Sequence, residues 1–151
     1  MTPALGPLHA RQGGLRGLVE RVESALPAGP GPALDAAVGA LVAYSRAHAA
    51  AQLSELYSPL ALSADPQLRS IVQELLEAEL TVGAARDALV AAWPPGRRTA
   101  DPIAFLGALG ALLEQQRLLF DLEAQVLFPL LEPPPPFDLD AAAGLFHLNP
   151  R

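Results

Sequence analysis

Apolar and polar positions alternate along this chain in blocks of helical period, and proline or glycine separates the blocks. From Leu8 to Leu26 the apolar residues Leu15, Leu18, Val19, Val22 and Leu26 recur at steps of three and four, which predicts a helix. Gly13-Gly14 weaken its start, at about 1 kcal/mol each relative to alanine. PAGPGP (Pro27–Pro32) ends it. A second helix is predicted from Pro32 to Tyr57, with Leu34, Val38, Leu41, Ser45, His48, Gln52 and Leu56 on one face. That face loses its apolar character after Leu41, regains it at Leu56, and carries His48 and Gln52 in the gap. Ser58-Pro59 should break the helix.

Asp65-Pro66 and Asp101-Pro102 are paired start signals, each an N-cap followed by a first-turn proline. They open a third helix running to Trp93 and a fourth running to Leu131. Glu74, Glu77 and Glu79 on the third helix read as a solvated acidic face. PPPP (Pro133–Pro136) cannot continue the fourth helix and predicts an extended spacer. Leu139–Phe146 predicts at most a short helical turn. No segment shows the alternation of a strand. The expected fold is all-α: an antiparallel up-down-up-down four-helix bundle over residues 1–132, with a proline-rich tail over 133–151.

Composition narrows the chemistry. The 151 residues suffice for one domain with a real core. There is no cysteine, which removes disulfides, thiolate catalysis and thiolate metal ligands. Every basic residue is arginine, so lysine chemistry is absent; this bias fits a GC-rich, bacterial genome. The net charge of −6 disfavours nucleic acid and anionic membranes as partners. No run reaches the ~18–20 uninterrupted apolar residues of a membrane span, and the N-terminus lacks a signal-peptide pattern. A soluble cytoplasmic protein is expected. No nucleophile–base pair can be named, so an enzyme is not expected. Trp93, Tyr44 and Tyr57 read as packing residues.

Two helix ends echo each other. HAAAQLSELYSPL (His48–Leu60) and LFDLEAQVLFPLL (Leu119–Leu131) align His48 with Leu119, Gln52 with Glu123 and Leu56-Tyr57 with Leu127-Phe128, and each then reaches a proline. This pattern resembles the hemerythrin-like, HHE cation-binding family, with LEAQVLFPLLE as its most specific part. In that family two helices each carry a His-x-x-x-Glu pair, and the other two contribute further histidines to a di-iron site inside a four-helix bundle.

The resemblance places His48, Gln52, Gln12 and Glu123 at ligand positions, and Leu80 and Leu119 where ligands have been lost. His9, one turn before Gln12, is an alternative donor. Leucine donates nothing, and glutamine does not neutralise a dication. The resemblance therefore implies a non-enzymatic bundle without a cofactor, acting as a binding or interaction module. In that reading His48 and Glu123 form a buried hydrogen-bonded pair completed by Gln12 and Gln52. One alternative is a protein that holds iron or another divalent metal with a reduced ligand set, for dioxygen, nitric oxide or iron sensing. Another is a carrier of a small apolar ligand. The partner would be an unknown protein or such a ligand, and a homodimer is compatible with either.

Overall fold

The computed structural model describes residues 5–132, and the polyproline segment and tail lie outside them. Seven helical pieces follow in order: α1 (Leu5–Ala25), α2 (Pro32–Gln52), α3 (Ser58–Leu60), α4 (Pro66–Ala92), α5 (Pro95–Ala100), α6 (Pro102–Leu122) and α7 (Phe128–Leu131). The fold is all-helical, with no strand among the described residues. A five-residue π turn, Leu53–Tyr57, joins α2 to α3, and another, Glu123–Leu127, joins α6 to α7. Each set is therefore one long continuous helix.

The start signals act as the sequence predicts. The Asp65 side chain accepts from the Gln67 N–H at 2.9 Å, and Asp101 caps α6 through Ala104. Such a cap is worth roughly 1 kcal/mol. After the 3₁₀ turn Leu26–Ala28, Gly29 adopts φ 75°, a left-handed conformation that favours glycine, and donates its N–H to the Leu26 carbonyl. The unforeseen α5 is pinned by Arg98. Its guanidinium donates to the Trp93 carbonyl and to Asp35, each at 2.8 Å, and lies over the Phe105 ring.

The prolines after the π turns do not break their helices, contrary to the expectation at Ser58-Pro59. A helical proline ring collides with the carbonyl four residues earlier. For Pro59 that carbonyl belongs to Glu55, and for Pro129 to Gln125. Both lie inside a π turn, where the wider loop carries the carbonyl out of the way. The π turn also inserts one residue, so Leu56 and Tyr57 both turn inward, as do Leu127 and Phe128.

One hydrophobic core runs through all four long helices. Fully buried Leu34, Phe105, Leu109 and Leu127 each contribute about 1.5–3 kcal/mol by leaving water. Arg11 pairs with Glu55, Arg16 with Asp121, and Arg46 with Asp87, linking α1 to the π turn beyond α2, α1 to α6, and α2 to α4. Arg117 and Glu23 form a further ion pair between α6 and α1. Gly14 lets the two N-terminal helices approach closely. An added Cβ there would collide with the Tyr44 hydroxyl, which donates to the Arg11 carbonyl at 3.2 Å.

The inward positions repeat. In α1, Leu8, Gln12, Leu15, Val19 and Val22 are buried; in α4, Leu75, Glu79, Val82, Arg86 and Leu89 are buried at the same spacing. Ser45, His48 and Gln52 correspond likewise to Gln116, Leu119 and Glu123 in the second half, 71 residues on. The second half is thus a structural echo of the first. The continuous stretch Pro102–Leu131 is long and apolar enough to cross a membrane by length and composition, yet it carries Gln116 and Glu123 on its buried side.

Candidate functional site: a buried carboxylate centre

Glu123 sits at the start of its π turn with 1% of its surface exposed. Three neutral donors close on its carboxylate. Tyr57 Oη donates to Oε1 at 2.8 Å, and Gln52 Nε2 and Gln12 Nε2 donate to Oε2 at 3.1 and 3.3 Å. Tyr57 reaches it because the π turn rotates its side chain inward. In an uninterrupted α-helix, five residues beyond Gln52 would point about 140° away from it. Burial pushes the Glu123 carboxyl up to about 7, against the opposing pull of the three hydrogen bonds and the Arg16 charge. Burial, followed by the neighbouring Glu123 and Glu79 carboxylates, pushes the Tyr57 phenol well above its usual range and keeps it a donor.

The residue that α4 adds to this layer is Glu79, not the expected Leu80. Leu80 is 61% exposed on the outer surface, whereas Glu79 is 7% exposed. Adjacent helical residues point about 100° apart, so a one-residue difference in register exchanges an inner position for an outer one. The solvated-face reading holds for Glu74 and Glu77, which are exposed, and fails for Glu79. Burial raises the Glu79 carboxyl to about 7, with repulsion from Glu123 adding to the effect and Arg86 opposing it. Its Oε2 is buried without a donor.

His48 is buried one turn from Gln52, as its spacing predicts, but the expected pair with Glu123 is not formed. Its Nδ1 has no hydrogen-bond partner. Burial, with a smaller contribution from the Arg11 charge, lowers its pKa to about 4 and keeps the ring neutral. Leu119 is inward and 2% exposed, occupying the place that mirrors His48. His9 is not a substitute for Gln12: it lies on the surface, edge-on to Phe128 at 4.7 Å. Among the described residues, no three His, Asp or Glu side chains gather in a geometry that could hold a metal ion.

No family model, curated protein or solved structure matches this chain. What the centre can do must therefore be read from its own chemistry. The void beside Ser45, Arg86 and Gln116 measures ≈ 10 Å³, room for about one water. The larger spaces are surface grooves, one of ≈ 350 Å³ between α2 and α4 and two of ≈ 260 and ≈ 220 Å³ between α4 and α6.

Sequence reasoning missed Glu79 and Tyr57. The signal for Tyr57 was present in the echo, which aligned Leu56-Tyr57 with Leu127-Phe128 as two consecutive inward residues before a proline. The signal for Glu79 was the repeat of inward spacing between α1 and α4, which sets it opposite Gln12.

Proposed function

We propose that this chain is a metal-free, non-enzymatic bundle of the hemerythrin-like kind, up-down-up-down in topology, acting as a binding or interaction module. The ion pairs of α1 support that topology: Arg11, early in α1, meets Glu55 in the turn beyond the end of α2, and Arg16 and Glu23, progressively later in α1, meet Asp121 and Arg117, progressively earlier in α6. The observation that carries the functional reading is the closure of Glu123. A carboxylate that serves a metal must keep lone pairs free for it. Here two glutamine amides and a phenol take three of its roughly four lone-pair sites, and Leu119 fills the mirrored ligand place.

A cofactor is not needed to satisfy this arrangement. Three neutral donors hold the buried carboxylate, and its raised pKa lets a proton discharge it near neutrality. A cytoplasmic setting without nucleic acid or membrane is supported by the acidic net charge and by exposed Glu114, Arg117 and Asp121 on the outer side of α6. The test is elemental analysis of protein purified from cells grown with added iron, manganese and zinc. Metal far below one ion per chain is expected. A near-stoichiometric content of any of the three would overturn the reading.

A further inference from the structure

The α2–α4 groove has the volume of a small-molecule site, since such sites hold about 300–1,000 Å³. Small side chains keep it open: Ala49 and Ala50 on one wall, Gly83 and Ala84 on the other. Leu53 and Leu80 stand at its rim, 44% and 61% exposed, and Leu76 lies between them and the core. Three charged residues complete the lining: exposed Asp87, and Glu79 and Arg86, which are both more than nine-tenths buried.

The two buried residues differ in what they still need. Arg86 donates to Ser45 Oγ at 3.0 Å and to Asp87 at 3.3 Å. Glu79 Oε2 receives nothing. In the layer behind it, Gln52 Oε1 and His48 Nδ1 are also buried without partners. A carboxylate and an amide oxygen can only accept, and a neutral imidazole accepts through one nitrogen. The unmet demand is thus for donors, beside two acidic side chains, Glu79 and Glu123. An anionic guest would be repelled, and an alcohol would bring a single donor. A primary ammonium brings three N–H donors, a positive charge and no acceptor.

We propose that the α2–α4 groove binds small primary alkylammonium ions, the ammonium donating to Glu79 and the alkyl chain lying over Leu53, Leu76 and Leu80. This deepens the binding-module reading and rests on it, because a metal ion in the centre would claim the same carboxylate.

The test is calorimetric titration of the full chain at pH 8 with n-hexylammonium chloride, and with 1-hexanol and sodium hexanoate as comparators. Saturable binding of hexylammonium is expected, with hexanol weaker by roughly 10-fold or more and hexanoate undetected. Glu79→Gln should weaken hexylammonium by roughly 10–100-fold. Ala84→Phe changes only an exposed wall residue and should block the groove, so it decides the matter if the Glu79 variant fails to fold. Hexanol binding as tightly as hexylammonium, or hexylammonium binding untouched by Ala84→Phe, would overturn the site. Metal content measured on the same preparation separates the two readings. Stoichiometric metal overturns the metal-free module, whereas metal-free protein that ignores hexylammonium overturns only this site.

Discussion

Replacing Glu123 with glutamine preserves the shape of the centre and removes its charge. The new amide can still accept from Tyr57. Its N–H groups can bond to Gln52 once that side chain turns its amide over, which brings an unpartnered oxygen into use. The protein should fold, and its stability should respond to pH differently. In the native protein Glu79 and Glu123 bind protons more tightly folded than unfolded, at about 7 against 4.5. Their contribution is full below pH 4.5 and is lost as pH rises through 7, by about 3 kcal/mol each when fully ionised. His48 acts in the opposite sense. Its pKa falls from 6.5 to about 4 on folding, so its contribution is lost as pH drops through that range. Between pH 8.5 and pH 6 the carboxyls dominate, and the native chain should be about 2 kcal/mol more stable at pH 6. In Glu123→Gln one titration is gone and the repulsion that raises Glu79 is relieved, so the difference should shrink below about 1 kcal/mol. Urea unfolding followed by far-UV circular dichroism across this range measures both. A native chain no more stable at pH 6 than at pH 8.5, or a variant that keeps the full difference, would show that these carboxyls are not proton-linked to folding.

Tyr57→Phe withdraws the shortest bond to Glu123 and should destabilise the fold by about 2 kcal/mol at pH 8. The loss should be smaller at pH 5, where the carboxyl is neutral; chemical denaturation at the two pH values would reveal an equal loss if the bond is not charge-assisted. Leu119→Ala should cost about 2–5 kcal/mol and Leu80→Ala under about 0.5 kcal/mol, because one is packed at the centre and the other faces solvent. Comparable melting shifts for the two would contradict the register of α4. Gly13→Ala and Gly17→Ala meet open space and should each stabilise α1 by up to about 1 kcal/mol. Gly14→Ala should forgo that gain and displace Tyr44; thermal melts ranking Gly14→Ala with the other two would show that the close approach is not maintained.

The helices were legible because their signals are local. Apolar spacing, Asp-Pro starts and Pro-Gly stops each act within a turn or two, and the four long helices lie close to where those signals place them. The inward direction of Gln12, His48, Gln52, Leu119 and Glu123 was legible for the same reason, since each sits in phase with apolar neighbours. Glu79 was not, because a charged residue among Glu74 and Glu77 looks solvated unless the phase of α4 is fixed to within one residue. Hydrogen-bond partners were less legible still. Glu123 bonds to Gln12, Gln52 and Tyr57 and leaves His48 without a partner on Nδ1. That choice depends on how four helices meet and on a π turn whose local cause, a proline two residues later, reads at first as a stop.

The correspondence between the two halves has an asymmetry. Where the first half places Gln12 and Gln52, the second places Glu79 and Glu123. Amides can both give and take hydrogen bonds, whereas ionised carboxylates only take. Two copies of the second half would crowd four carboxylates into one layer. Two copies of the first would fill it with amides, without the carboxylate that two glutamines and Tyr57 now converge on. Only the unlike pairing matches donors to acceptors and leaves the smaller charge. The layer therefore works as a recognition code: each half fits the other better than it fits its own duplicate, and pairing of like halves from two molecules is discouraged at the same point where the core is sealed.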